Sequence, residues 1–229
     1  MWKVRQGFAP LKRCFSVSAS CKNVYELSID TMKPSKLPAY ANAVGRLISH
    51  GQESTLLGAF TTYLGGERGE FIHLRKHKSG KQLMTSRDLL LEKVTELGDV
   101  SQSCVSQQTI MLHLFPWCEV GHPATEGGIY EYRSYTLKPG VLAQWSHRFQ
   151  QGIHARMLYS KPLGVWFSEI GPLNAVHHIW HYNDLDHRME VRNQALEDEL
   201  WRETVRDGSV FLTTMMSRII RPTPHSNWK

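Results

Sequence analysis

IYEYRSYTLKPGVLAQW, residues 129–145, repeats VYELSIDTMKPSKLPAY, residues 24–40, at an offset of 105 positions. Tyr25-Glu26 recurs as Tyr130-Glu131, and Lys33-Pro34 recurs as Lys138-Pro139. Working outward, LLGAFTTYLGG at 56–66 matches PLGVWFSEIGP at 162–172, now offset by 106 because one residue shifts in a turn. FIHLRKH at 71–77 then matches VHHIWHY at 176–182, placing His73 opposite His178, and IMLHLFP, ending at Pro116, matches MSRIIRP, ending at Pro222. Self-similarity at half the chain length means that one supersecondary unit is used twice, which constrains the fold before any element is assigned.

Each half reads as strand, helix, strand, strand, helix, strand. In the second, the Tyr-rich alternation from Ile129 to Leu137 is a strand that Lys138-Pro139-Gly140 ends. Val141 to Met157 is a helix, because Leu142, Trp145, Phe149 and Ile153 recur at three to four residues. Leu163–Ile170 and Ala175–Tyr182 form a hairpin around GPLN, as the second and third strands of the half. Asn183 or Asp184 caps a helix from Leu185 to Val205, with Met189, Leu196 and Leu200 inward and Asp198 paired to Arg202 on its exposed face. Asp207-Gly208 ends it, and Val210 to Ile220 is the last strand. A β-α-β-β-α-β unit leaves one face of its sheet bare, and that face must be buried. The expected fold is therefore α+β: two tandem ferredoxin-like repeats whose sheets cover each other in a pseudo-symmetric barrel with helices outside. The divisions are a leader at 1–23, a first, degenerate repeat at 24–117, a linker at 118–128, a second repeat at 129–222 and a C-terminal tail at 223–229.

The leader is MWKVRQGFAPLKRCFSVSASCKN, basic, free of acidic residues and ending Ser-rich, which is the composition of a mitochondrial transit peptide. It holds five of the 27 Lys and Arg residues; the rest of the chain sets 22 basic residues against 21 acidic ones. Of the net charge of +6, +5 therefore resides in the leader, and the remainder, at +1, has no appreciable basic excess for phosphate backbones. Nucleic acid is excluded as a partner on this ground, and no apolar run approaches the ~20 residues of a membrane span. Cys104 and Cys118, with no C-x-x-C, form no disulfide framework and suit a reducing compartment such as the matrix.

YEYRSYTLKPG followed by LGVWFSEIGPLNAVHHIWHYNDLDHRMEVR resembles the NIPSNAP family, over about residues 24–222. The first half departs from the pattern: Ser28 and Asp30 stand where Arg133 and Tyr135 do, and Arg75 where Trp180 does. The resemblance implies a mitochondrial protein of the dimeric α/β-barrel class without an established catalytic activity. It also implies protein partners in mitochondrial homeostasis and quality control, autophagy adaptors among them, and a role in vesicle traffic. More distant barrel relatives include cofactor-free monooxygenases and haem enzymes, a likeness of fold that confers no function.

The histidines of NAVHHIWHYNDLDH, residues 174–187, look like metal ligands until they are placed on a strand. His177 and His178 then point to opposite faces, and His177 and His181 lie ~13 Å apart along one face, too far to share an ion. His147 and His154 fall off the apolar stripe of their helix and face solvent. GGERG at 65–69 is a hairpin turn rather than a phosphate loop, Trp145, Trp166 and Trp201 are packing residues, and the lone Cys118 sits in the linker as a bystander. Catalytic residues, metal ligands and cofactors are accordingly assigned none. What stands out is Glu131, Arg133 and Tyr135 on one strand face, where a buried Glu and Arg must pair internally or meet a ligand. Arg133 is the natural anchor of a pocket for a small polar or anionic molecule, and His178 and Trp180 share a strand face able to line it. That pocket is expected in the barrel interior. The competing function is thus a small-molecule binder or weak oxidoreductase, and a homo-oligomer is compatible with either reading.

Overall fold

The tyrosines of residues 129–137 alternate with charged and polar side chains, so pleating sends Tyr130 and Tyr132 to one side and Glu131, Arg133 and Tyr135 to the other. In the computed structural model, which describes residues 23–50, 54–95 and 97–229, that separation organises the molecule. The first half runs β1 (Val24–Met32), α1 (Leu37–Ser49), β2 (Thr55–Leu64), β3 (Glu70–His77), α2 (Gly80–Thr95), α3 (Asp99–Gln102) and β4 (Cys104–Leu114). The second runs β5 (Ile129–Leu137), α4 (Leu142–Met157), β6 (Pro162–Ile170), β7 (Ala175–Tyr182), α5 (Leu185–Glu197), α6 (Glu199–Ser209) and β8 (Leu212–Pro222). The strands close into an antiparallel barrel in the order β1-β3-β2-β8-β5-β7-β6-β4. Two short seams join the halves: β2 meets β8 from Phe60↔Pro222 to Leu64↔Ile219, and β4 meets β6 from Met111↔Ile170 to Leu114↔Trp166.

One apolar cluster takes residues from all eight strands and none from a helix, so it fills the barrel. Phe60, Tyr130, Tyr132, Trp166 and Ile220 are each 2% exposed or less there. Trp228 joins them at 1% exposure. The residues after β8 reach it by following β2: Thr223 N–H donates to Ala59 O at 2.8 Å, and Trp228 N–H to Leu57 O at 3.0 Å. A second cluster lies between the outer face of β5–β8 and α4–α6, and a third between the outer face of β1–β4 and α1–α3.

Local sequence explains the boundaries. Gly140, at φ +83°, ends β5 in a conformation that costs a Cβ-bearing residue more than glycine, and Asn174 at φ 55° turns the β6–β7 hairpin. Asp184 caps α5, its carboxylate accepting from His187 N–H at 2.8 Å. The helix expected from Leu185 to Val205 is instead two helices. Asp198 breaks it: its backbone is extended (φ −69°, ψ 120°) and its carboxylate accepts from Trp201 N–H at 3.1 Å, capping α6. The expected Asp198–Arg202 ion pair is not made, because the carboxylate is committed to the cap and Arg202 donates to the carbonyls of Leu196 and Glu197. The break also re-phases the helical face. Val191, Ala195, Trp201, Thr204 and Gly208 turn inward. Met189, Leu196 and Leu200, expected inside, are 57%, 40% and 43% exposed. His147 and His154 are exposed on α4, as their phase requires.

Candidate functional site

Parity that the sequence left open is settled by pairing. Arg133 lies opposite His178 and Glu131 opposite Trp180 across β5 and β7, so all four project toward α4–α6 rather than into the barrel. His177, on the other face, turns inward, where its ring nitrogens meet Tyr132 Oη at 2.8 Å and Ser168 Oγ at 3.0 Å. Burial lowers its pKa to about 4, with Arg218 adding to the effect, so the ring is neutral. The expectation of a pocket in the barrel interior is corrected accordingly: bulky side chains fill that interior. A cavity of about 270 Å³ lies instead between the outer sheet face and the helices, lined in part by Arg133, Tyr135, Trp145, His178, Trp180 and Trp201.

Glu131 sits at the base of this arrangement, 0% exposed. Its Oε1 accepts from Arg133 Nη1 at 2.7 Å, Arg188 Nη2 at 2.6 Å and Ser217 Oγ at 2.7 Å. Its Oε2 has no hydrogen-bond partner among the described residues, though Arg192 Nη1 lies 3.8 Å away. Burial alone would raise its pKa; the Arg188 hydrogen bond and the charges of Arg133 and Arg192 outweigh this and hold the carboxyl at about 2. Arg133 also donates from Nε to Tyr135 Oη at 2.7 Å, and burial, which works against its charge, is more than offset by Tyr135 and Glu131.

His178 is 2% exposed. Trp180 Nε1 donates to its Nδ1 at 2.5 Å, which makes Nδ1 an acceptor and leaves the proton on Nε2. Burial first, and Arg133 next, hold its pKa well below the usual range, so the imidazole is neutral. That Nε2–H finds no hydrogen-bond partner among the described residues. Buried polar groups without partners are rare and expensive, and this one belongs to a residue lining a cavity.

Of the five side chains singled out in the sequence, Arg133, Tyr135, His178 and Trp180 line the cavity, while Glu131 holds Arg133 from outside the lining. Two lining arginines were missed. Arg156 lies 3% exposed with its guanidinium 4.5 Å from the Trp180 ring centre and donates to Tyr182 Oη at 2.8 Å. It falls three residues after Ile153, in phase with the apolar stripe, and a charge on an apolar stripe is the signal that reveals it. Arg192 was hidden by treating α5 and α6 as one helix with the wrong face inward. Trp145 and Trp201 pack as expected and also wall the cavity.

The first half preserves the carboxylate but not the room. Glu26, 105 positions before Glu131, accepts from Arg75 at 2.7 Å and Arg87 at 2.9 Å, and meets His77 Nε2 at 2.9 Å. Where Arg133, Tyr135 and Trp145 stand, this half has Ser28, Asp30 and Tyr40. Asp30 is satisfied within the protein, accepting from Tyr40 Oη at 3.0 Å, and the cavity beside it is only about 40 Å³. Among the described residues no three His, Cys, Asp or Glu side chains converge as a metal site, and no helix is long and apolar enough to cross a membrane.

A closed eight-stranded antiparallel barrel clad in helices defines the fold, an α/β barrel of the kind also seen in solved structures described as putative monooxygenases. A solved anthrone oxidase-like protein shares it with a TM-score of 0.69 over 90% of this chain and 94% of that one, at 12% identity. The sequence comparisons are narrower. The NIPSNAP family model matches residues 130–227. Protein NipSnap homolog of Dictyostelium discoideum is 30% identical over 210 residues, 89% of each chain. Human Protein NipSnap homolog 2 is 30% identical over 209 residues, 87% of this chain and 73% of that one. The chain belongs to the NIPSNAP family.

Proposed function

We propose that the chain is a mitochondrial NIPSNAP protein that binds a small molecule in the cavity of its second half and acts through protein partners in mitochondrial homeostasis and quality control. The observation that carries the binding reading is the buried, unpaired Nε2–H of His178 beside about 270 Å³ of space. An apolar-walled cavity with a few convergent polar groups is the usual form of a ligand site. Two ferredoxin-like repeats, at 24–117 and 129–222, account for the architecture, and divergence has closed the first site while leaving the second open. The mitochondrial assignment rests on the family and on the basic, acid-free leader at 1–23, which lies outside the described residues except for Asn23. In this reading the protein resides in the matrix, is displayed on the outer surface after damage and is recognised there by autophagy adaptors.

A second reading, a weak oxidoreductase, draws on the shared fold and on a neutral imidazole at a hydrophobic cavity. It needs the cavity just as binding does, and the barrel interior no longer serves it.

Gly208 gives the discriminating variant. It lines the cavity, and a β-carbon there would meet only Trp145 Nε1, at 3.9 Å, so Gly208→Leu fills space without clashing at its base. Native mass spectrometry after exposure to a mitochondrial extract should show a retained small molecule on the full chain and none on Gly208→Leu. Equal retention by both, or none by the parent, refutes the binding reading. Consumption of dioxygen with turnover of the retained compound would favour the oxidoreductase.

A further inference from the structure

The cavity of the second half carries charge of one sign. Its lining includes three arginines, Arg133, Arg156 and Arg192, and no acidic residue. Glu131 is the carboxylate at hand, and it already serves Arg188 and Ser217 as well as Arg133. Arg133 spends Nε on Tyr135 and Nη1 on Glu131, and its Nη2 has no hydrogen-bond partner among the described residues. Among those residues Arg192 has only the 3.8 Å ion pair with Glu131. Cations grouped around a single shared carboxylate, partly withdrawn from water, are a poor arrangement unless an anion joins them.

Most of the remaining wall is apolar, with Tyr135, His178, Thr204 and Ser209 the polar exceptions. Trp145 and Phe149 stack at 4.7 Å, Trp201 meets Phe149 edge-on at 5.6 Å, and Leu196 and Leu212 complete the surface. A dry apolar cavity of about 150 Å³ accepts benzene; this one, at about 270 Å³, has room for such a body and a polar head.

Resting on the reading of the cavity as a binding site, we propose that its ligand is a carboxylic acid with an aromatic or medium-chain alkyl body. Arg133 and Arg192 answer the carboxylate, the Nε2–H of His178 supplies the neutral donor, and the tryptophan wall takes the body. Arginine N–H groups pair with carboxylate and phosphate oxygens alike, so a phosphate ester is the competing anion in the test.

Calorimetric titration of the full chain tests this with decanoate, decanamide and decyl phosphate, and with phenylpropanoate and its amide. Decanoate or phenylpropanoate should bind at least tenfold tighter than its own amide. Arg133→Met should weaken the acid by about ten- to a hundredfold and leave the amide unchanged. Because Arg133 also supports Glu131, Arg192→Met, altered at the more exposed side of the cluster, is the companion variant and should show a smaller loss in the same direction. Amides binding as tightly as acids, or decyl phosphate binding tighter than decanoate, overturns the acid assignment. So does the absence of binding by every probe while the extract-derived molecule is still retained by the parent and lost in Gly208→Leu. Failure of both experiments overturns the binding reading itself.

Discussion

Glu131 is the residue whose chemistry is most constrained. Its folded pKa, about 2, lies below the ordinary 4.5, so its contribution is complete above pH 4.5 and is lost as pH falls from there toward 2. A lowering of that size corresponds to on the order of 3 kcal/mol. Glu131→Gln should cost about 3–5 kcal/mol in urea unfolding at pH 7, since it strands Arg133 and Arg188, and should shallow the decline in stability between pH 5 and 3. An unchanged acid slope would place the source elsewhere, with Glu26 the first suspect because His77 and Arg75 lower its pKa in the same way. Cys118 behaves in the opposite sense. Burial raises its thiol to about 11, so at pH 7.5 its alkylation by iodoacetamide should run at least tenfold slower than that of a free cysteine. Alkylation at the free rate would show that the thiol is not withdrawn from water. At this scale the sequence was informative in part. Glu131, Arg133 and Tyr135 announce themselves by alternation alone, whereas the partners Arg188, Arg192 and Ser217 come from other elements that only the fold brings in.

Among the elements, α6 decides the shape of the cavity. It is set by the Asp198 cap and by a close crossing with α4, where a β-carbon at Gly152 would fall within 2.6 Å of Thr204 Cβ. Asp198→Ala should cost about 1 kcal/mol in thermal or urea unfolding. Gly152→Ala should cost about 1–3 kcal/mol and push α6 outward, which fluorescence of Trp201 and Trp145 would register. No spectral change together with unaltered stability would contradict the close crossing. Strands, turns and α4 were readable because alternation, glycine and apolar spacing are local signals. The break at Asp198 was not: the apolar residues on either side fit one continuous helix, and a competing cap shows only in backbone geometry.

For the whole molecule, the barrel was legible, because a sheet face left bare by its own strands and helices has to be covered. The location of the cavity was not legible, because alternation gives two faces without saying which one looks inward. Nor was the fate of residues 223–229, whose Trp228 lies in the barrel core. Trp228→Ala should cost about 3–5 kcal/mol; a loss under 1 kcal/mol would mean that the barrel does not depend on it. That indole carries a consequence for synthesis. The first half leaves the ribosome with its barrel-facing side chains bare, and they stay wet while another hundred or so residues are added, roughly 5–20 seconds at common elongation rates. Even then the interior is incomplete until a residue following all eight strands has been delivered. A nascent chain stalled before β8 is therefore an open barrel with apolar side chains bare, and this protein should lean on chaperones for longer than its size would suggest.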